Sequence, residues 1–147
     1  YYTRGHVAQT PTLGLHQARI ARSGEEATLI CYGPMVDTCV EAAKEASQEG
    51  RKLEVIDLRS LSPLDMATVY ESVRRTTRAI VVQEAPRTQG VGAEIAARLG
   101  EELYYVMEAP VLRVTGWSTP YPPAKAEGEH IPDVDRILDA VDRSLAF

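Results

Sequence analysis

Apolar and polar positions follow two periods along the chain, and together these periods predict its strands and helices. Short, mostly apolar runs rich in β-branched residues predict strands buried between helical layers, because such strands have no solvent-facing side. Four runs have this pattern: Ala27–Cys31, Leu53–Leu58, Ala79–Glu84 and Val111–Thr115. From Gln17 to Arg22 the apolar and polar residues alternate, which predicts a half-buried edge strand that forms a hairpin with the strand after it.

Helical periodicity fills the intervals between these strands. Gly33 suits a sharp turn, and Pro34 suits the first position of a helix that Gly50 is expected to end as a left-handed cap. Ser62-Pro63-Leu64-Asp65 has the form of a capping box and predicts a helix that begins at Ser62. The alternation of strands and helices predicts a three-layer α/β domain with a mainly parallel sheet.

Two further helices are predicted in the second half of the chain. Residues 91–99 carry a helical apolar stripe, Gly100 is expected to break the helix, and residues 101–107 are expected to continue helically. A C-terminal amphipathic helix is expected over Val134–Leu145, with Asp133 as its N-cap.

Composition and charge narrow the possible partners. The 147 residues suffice for one domain with a sizeable core, and 44% of them are hydrophobic. A formal net charge of −5 argues against nucleic acid and anionic membrane, since both require a basic face. No apolar run approaches the ~20 residues of a membrane span, and the start shows no signal-peptide pattern. Cys31 and Cys39 are expected to be small buried side chains in a reducing compartment, rather than a disulfide or metal pair, which places the protein in the cytoplasm.

Taken alone, the residues carry little evident chemistry. Gly90 and Gly92 open a helix after a strand, as in a phosphate-binding turn, but the third glycine of the dinucleotide fingerprint is missing. A tight structural turn is therefore the favoured interpretation. Glu84 ends a strand at the carboxyl edge of the sheet, where it could act as a base or cap the amides of the next loop. The cap is favoured, because no second titratable group lies near it in sequence.

Other candidate residues also favour structural roles. His6, His16 and His130 are too scattered along the chain for a metal site. Ser62 lacks the glycine pattern of a nucleophile elbow. Trp117 and Tyr121 are expected to plug a packed, proline-rich loop, because the basic groove needed for stacking on nucleic-acid bases is absent.

Several strings of residues occur in an order that resembles one family. They are Tyr32-Gly33-Pro34-Met35, residues 54–65, Gln83-Glu84-Ala85-Pro86 with Gly92-Ala93-Glu94-Ile95-Ala96, residues 109–116 and Thr119-Pro120-Tyr121-Pro122. Residues 15–147 are similar to the C-terminal domain of the beta subunit of thiamine-diphosphate-dependent 2-oxo acid dehydrogenases, which itself resembles the C-terminal domain of transketolase. The branched-chain enzyme looks nearer than the pyruvate enzyme. Ser118 departs from the family pattern, in which aspartate is common at this position.

The resemblance implies a five-stranded mixed sheet between two helical layers, with the first strand antiparallel to the rest and beside the third. It implies a parent enzyme that oxidatively decarboxylates branched-chain 2-oxo acids or pyruvate and transfers the acyl group to lipoyl groups. In that enzyme an N-terminal domain and the alpha subunit bind thiamine diphosphate and magnesium, so this chain is expected to bind neither and to be inactive alone. Residues 1–14 are expected to be a linker or arm from a missing N-terminal domain, and residues 15–147 the transketolase C-terminal-like domain.

The resemblance also implies a role in assembly. The expected partners are the alpha subunit, a second beta subunit and the basic peripheral subunit-binding domain of the acyltransferase core. Glu108 and Phe147, through its ring and terminal carboxylate, are the candidate docking residues. The alternative is an independent small-molecule-binding domain with its ligand at the carboxyl ends of the strands, near Gly33, Glu84, Gly90 and Gly92.

Overall fold

The computed structural model describes residues 13–147, so the arm or linker predicted for residues 1–14, and His6 within it, lies almost wholly outside the described residues. Strands and helices alternate along the described part of the chain. The strands are β1 Arg19–Arg22, β2 Ala27–Cys31, β3 Leu53–Asp57, β4 Ala79–Pro86 and β5 Leu112–Gly116. The helices are α1 Met35–Gln48, α2 Met66–Thr76, α3 Val91–Leu103, α4 Glu127–His130 and α5 Val134–Leu145.

The strands form one mixed sheet in the order β1-β3-β2-β4-β5, in which β1 is antiparallel to β3 and the other pairs are parallel. This confirms the fold that the resemblance implies, and the expected hairpin between β1 and β2 is wrong. The turn between these strands crosses the start of β3, where the amides of Glu25 and Glu26 donate to the Lys52 carbonyl oxygen. Gly24 permits the crossing, because a Cβ there would lie 2.2 Å from the backbone nitrogen of Glu54.

Helices cover both faces of the sheet and bury two apolar layers. Every residue of β2 is buried, as expected for the central strand. On one face Leu29 and Val55 pack with α1 and α5, and on the other face Ile30 and Ile56 pack with α2 and α3. The parallel strands all end at one edge of the sheet, called here the carboxyl edge, and all begin at the opposite amino edge.

Two helix boundaries differ from the sequence prediction. Helix α2 begins at Met66 because Asp65, and not Ser62, is its N-cap: the Asp65 carboxylate accepts from the Thr68 amide at 3.2 Å. Helix α3 runs through Gly100 without a break and ends at Leu103, after which residues 104–106 form a turn. A glycine inside a helix costs only about 1 kcal/mol. Burial of a leucine side chain such as Leu103 contributes about 1.5–3 kcal/mol, which outweighs that cost.

The free edge of β5 is covered by arginine side chains. Arg87 donates to the Arg113 carbonyl oxygen at 3.2 Å, and Arg136 donates to the Thr115 carbonyl oxygen. The Arg136 guanidinium carbon lies 4.5 Å from the centre of the Trp117 ring, so the ring holds this guanidinium in place.

Candidate functional site

Three segments of the chain meet at the amino edge, beside β4 and β5. Arg78, just before β4, donates to the Glu108 carboxylate at 2.6 Å and to the Ser144 carbonyl oxygen at 3.1 Å. The Glu108 amide donates to the Thr77 carbonyl oxygen at 3.0 Å. Ser144 lies in the last turn of α5, three residues before Phe147. Through Arg78 the structure therefore brings Glu108 and the C-terminal segment, the two predicted docking elements, to one edge of the sheet.

Glu108, the predicted docking residue, is an ion-paired carboxylate whose partner is Arg78. Its partner Arg78 is mostly buried, whereas Glu108 itself is exposed. Such a pair contributes at most about 1 kcal/mol to stability. A carboxylate has about four lone-pair positions, so the exposed side of Glu108 stays open to a second cation. Phe147 is also exposed.

Aromatic side chains are concentrated next to this ion pair. Tyr104 and Tyr105 follow α3 and are 71% and 97% exposed, with ring centres 5.1 Å apart in an edge-to-face arrangement. A hollow of about 400 Å³ lies between Tyr104, Glu108 and Pro110. Residues 104–110 are called the aromatic turn below. Tyrosine exposed to this degree beside a charged pair is typical of protein–protein interfaces.

At the carboxyl edge, the glycine turn before α3 is filled by the side chain of Gln83. This buried amide accepts from the Gly92 amide at 2.7 Å through Oε1 and donates to the Pro86 carbonyl oxygen at 3.0 Å through Nε2. A Cβ on Gly90 would lie 2.0 Å from Nε2, and a Cβ on Gly92 would lie 2.8 Å from Oε1. The two glycines therefore make room for Gln83. Glu84 was expected to cap the amides of the next loop, whereas the side chain that caps an amide after β4 is that of Gln83, the residue before it.

The other candidate ligand residues, Gly33 and Glu84, also lie at the carboxyl edge. Gly33 lies in the turn between β2 and α1 with φ +58°, a conformation that favours glycine. Burial, together with the negative charge of Glu84, raises the pKa of Tyr32. A hydrogen bond to Glu127 raises the pKa of Tyr121, and the charge of Glu84 adds to this effect.

The expectation that Trp117 and Tyr121 plug a packed loop is wrong. They are 54% and 62% exposed, and each ring uses one face for an internal contact. Trp117 stacks on Arg136, while Tyr121 meets the ring of His130 edge-on with centres 5.1 Å apart. His130, at the end of α4, is the buried residue of this group.

The described residues do not fit the cofactor that the resemblance implies for the parent enzyme. A diphosphate in the turn before α3 would need the Gly92 amide, which Gln83 Oε1 already occupies. Within residues 13–147 no three His, Cys, Asp or Glu side chains come together as a metal ion requires. Cys31 and Cys39 are buried free thiols, and their mutual hydrogen bond and burial raise the pKa of Cys31. In the same stretch, none of the helices combines the length and the apolar character that a membrane crossing needs.

Arg78, Gln83 and the pair Tyr104–Tyr105 were not among the residues that the sequence singled out. Arg78 and Gln83 act through contacts across the fold, and nothing in their local sequence indicates those contacts. The tyrosine pair did carry a usable signal. Adjacent helical positions point about 100° apart, so two bulky aromatic residues in succession at a helix end favour exposure of at least one of the two rings.

Comparison with known proteins gives consistent matches. The family model "Transketolase, C-terminal domain" matches residues 16–137. The "Pyruvate dehydrogenase E1 component subunit beta" of Leifsonia xyli subsp. xyli is 52% identical over 149 residues, covering 100% of this chain and 44% of that protein. The "3-methyl-2-oxobutanoate dehydrogenase subunit beta" of Mycobacterium tuberculosis is 47% identical over 147 residues, covering 99% of this chain and 42% of that protein. The chain thus spans less than half the length of these relatives.

Solved structures show the same architecture. A chain described as "Split gene transketolase, inactive beta4 tetramer" matches with a TM-score of 0.81 and 26% identity, over 95% of this chain and 45% of that chain. A chain of the 2-oxoglutarate:ferredoxin oxidoreductase from Magnetococcus marinus matches with a TM-score of 0.55 and 16% identity, over 87% of this chain and 19% of that chain. The second match concerns the fold alone.

Proposed function

Because the chain belongs to the transketolase C-terminal domain family, and curated relatives are beta subunits of 2-oxo acid dehydrogenases, we propose that it is the C-terminal assembly domain of such a subunit. Its role is to hold subunits together and to dock the acyltransferase core. The parent enzyme oxidatively decarboxylates a 2-oxo acid and transfers the acyl group to a lipoyl group. The aromatic turn carries this proposal, because Tyr104 and Tyr105 are exposed beside the Glu108–Arg78 pair.

The docking partner is the basic peripheral subunit-binding domain of the acyltransferase core. A cation of that domain meets the open side of the Glu108 carboxylate. The exposed rings of the aromatic turn and of Phe147 supply apolar contact. The alpha subunit and a second beta subunit bind other parts of the surface.

The chemistry of the parent enzyme is carried outside this chain. Thiamine diphosphate and magnesium are bound there by other domains, and the chain alone turns over no 2-oxo acid. The solved relative described as an inactive tetramer supports this part of the proposal. We favour branched-chain 2-oxo acids as substrates, with pyruvate as the rival, and the cytoplasm as the location. Relatives of both kinds match at similar identity, so assays of the assembled enzyme with both substrates decide between them.

Glu108→Gln in the assembled alpha–beta complex tests the docking role. The substitution removes one negative charge at the proposed interface, so association with the subunit-binding domain is expected to slow several-fold at low salt and to match wild type at high salt. Surface plasmon resonance at several ionic strengths measures the association rate.

Glu94→Gln is the matched control, because Glu94 forms a similar exposed pair with Arg98 near the opposite end of α3. It is expected to leave the association rate unchanged. Equal rates for Glu108→Gln and wild type at low salt, or equal slowing by both substitutions, would place the docking surface elsewhere.

Calorimetric titration of the 147-residue chain with thiamine diphosphate and magnesium should show no binding heat.

A further inference from the structure

A second feature of the amino edge lies at its other end, beside β1 and β3. It is a cleft of about 460 Å³ formed by the turn after β1, the end of α1, the start of β3 and the end of α2. Its volume falls in the range of small-molecule sites. The lining side chains that define its chemistry are Arg22, Arg51, Lys52, Glu54 and Arg75.

Glu54 in the wall of this cleft carries an unpartnered carboxylate oxygen. The residue is 1% exposed, and its Oε2 accepts a hydrogen bond from Arg75. Its Oε1 is buried and has no hydrogen-bond partner among the described residues. A buried acceptor left without a donor costs about 1–3 kcal/mol, and more when it is charged. The wall therefore holds an acceptor that lacks its donor.

The other charges of the cleft are mainly positive. Four cationic side chains and two carboxylates, those of Glu25 and Glu54, line it, which leaves an excess of two positive charges on a chain of net charge −5. Arg51 pairs with Asp142, and Lys52 pairs with Glu25. Arg22 is half-buried and has no ion-pair partner within residues 13–147. The cleft thus offers an anion site at Arg22 together with an acceptor at Glu54.

These two features restrict the ligand. An ammonium, an amide or a hydroxyl group of a ligand can donate to Glu54 Oε1, and the hydroxyl is the smallest neutral donor of the three. An ammonium group would stand among four cations, whereas a hydroxyl donates without adding charge. We infer that the cleft binds a small hydroxylated anion, whose hydroxyl donates to Glu54 and whose anionic group pairs with Arg22. Arg75 is half exposed, so rotation of its side chain gives the ligand access to Glu54.

Amide NMR spectra of the 147-residue chain test the inference and report at the same time that the chain is folded. Two probes, glucose 6-phosphate and gluconate, carry both hydroxyls and an anionic group. Two further probes are controls: glucose has no anionic group, and inorganic phosphate has no sugar hydroxyls. At least one hydroxylated anion is expected to shift the amides of Ser23, Gly24 and Lys52 and to bind about tenfold tighter than glucose or phosphate. If glucose 6-phosphate binds more tightly than gluconate, the anionic group of the ligand is a phosphoryl group, and if gluconate binds more tightly, it is a carboxylate. Absence of these shifts with both overturns the inference.

Two substitutions separate the roles of the cleft residues. Arg22→Gln is expected to weaken binding about tenfold, while Arg98→Gln, which removes the same charge from α3 outside the cleft, changes it less than about twofold. Glu54→Gln is expected to turn an amide NH₂ group into the cleft and to abolish the advantage of the hydroxylated anion over phosphate. Equal weakening by Arg22→Gln and Arg98→Gln would overturn the inference even if Glu54→Gln does not fold.

Discussion

Gln83 joins the end of β4 to the start of α3 through both ends of one buried amide. The Gln83 Oε1 atom accepts a hydrogen bond from the Gly92 amide at the start of α3, where backbone N–H groups have no acceptor within the helix. The Nε2 donor satisfies a carbonyl group of the preceding loop. A side chain in this place leaves no space for a Cβ at position 90 or 92, which explains the glycines there.

Gly92→Ala is expected to lower the free energy of unfolding by about 1–3 kcal/mol, because the new Cβ would push Gln83 away from the Gly92 amide. Gly100→Ala in the same helix is the matched control. Nothing lies within 4 Å of the position of its Cβ, so it is expected to raise the free energy of unfolding by about 0.5–1 kcal/mol. Urea unfolding followed by circular dichroism measures both. Similar stabilities for the two variants would contradict the packing role of Gly92.

The residues that the sequence predicted correctly act locally. Gly50 has φ +85°, as a left-handed cap requires, and the Asp133 side chain accepts from the Arg136 amide at 2.8 Å. The roles of Gln83 and Glu84 could not be predicted in this way, because they depend on contacts across the fold. Neighbouring strand positions point to opposite faces of a sheet, and which of the two reaches the helix amides depends on the packing of the whole domain.

At the scale of elements, Asp65 connects α2 to the segment before β1. Its carboxylate accepts from the Thr68 amide and hydroxyl and also from the Ala18 amide at 2.9 Å. Burial by itself would raise the pKa of Asp65, but the three hydrogen bonds outweigh burial and hold the pKa below its ordinary value of about 3.9. One side chain therefore caps a helix and positions an edge strand.

Asp65→Ala is expected to reduce the free energy of unfolding by about 1–2 kcal/mol at pH 7, as loss of an N-cap does. The pKa of Asp65 is lower in the folded than in the unfolded state, so its contribution is complete above the unfolded-state pKa and is lost as pH falls through the folded-state pKa. The stability difference between wild type and variant should therefore narrow below about pH 4. Urea unfolding at several pH values measures it.

Asp133→Ala, which removes the cap of α5, is the control for the connection to β1. Hydrogen exchange of the β1 amides is expected to accelerate in Asp65→Ala and to stay unchanged in Asp133→Ala. Unchanged β1 exchange in both variants, or a stability difference for Asp65→Ala that widens in acid, would contradict the connecting role.

The sequence predicted elements well where hydrophobic periodicity is local, as in β2, β4 and α5. It failed for the start of α2, because Ser62 and Asp65 are both acceptable caps and the contact from Ala18 favours the second. The pairing of β1 with β3 also lies beyond local pattern, since it depends on the backbone crossing at Gly24. The family resemblance supplied that pairing.

At the scale of the whole molecule, the amino edge carries both the aromatic turn and the cleft around Glu54, separated by the width of the sheet. The cleft could not be predicted from periodicity, because it assembles side chains from elements far apart in sequence, whereas the aromatic turn is one continuous segment whose contact with Arg78 depends on the fold. Two exposed tyrosines in succession are an apolar surface that association would cover. The chain alone is therefore expected to self-associate.

Tyr105→Ser is expected to weaken this self-association, because Tyr105 is 97% exposed near the start of the aromatic turn. Sedimentation velocity should show a weight-average coefficient that rises with concentration for wild type and much less for the variant. Tyr121→Ser, at the carboxyl edge, removes an equally polar aromatic ring and is expected to behave as wild type. A monomeric wild-type chain at all concentrations would exclude the association surface.

The arginine side chains that cover the free edge of β5 affect whether another strand can pair with this edge of the sheet. An approaching extended segment extends a sheet only where the outer strand has free carbonyl oxygens. In β5 the oxygens of Arg113 and Thr115 already accept from guanidinium groups, and one of these groups is held under the Trp117 ring. An added strand would have to displace both cations before it could donate to these two oxygens. The arginine cover therefore hinders copies of this domain from joining their sheets through β5.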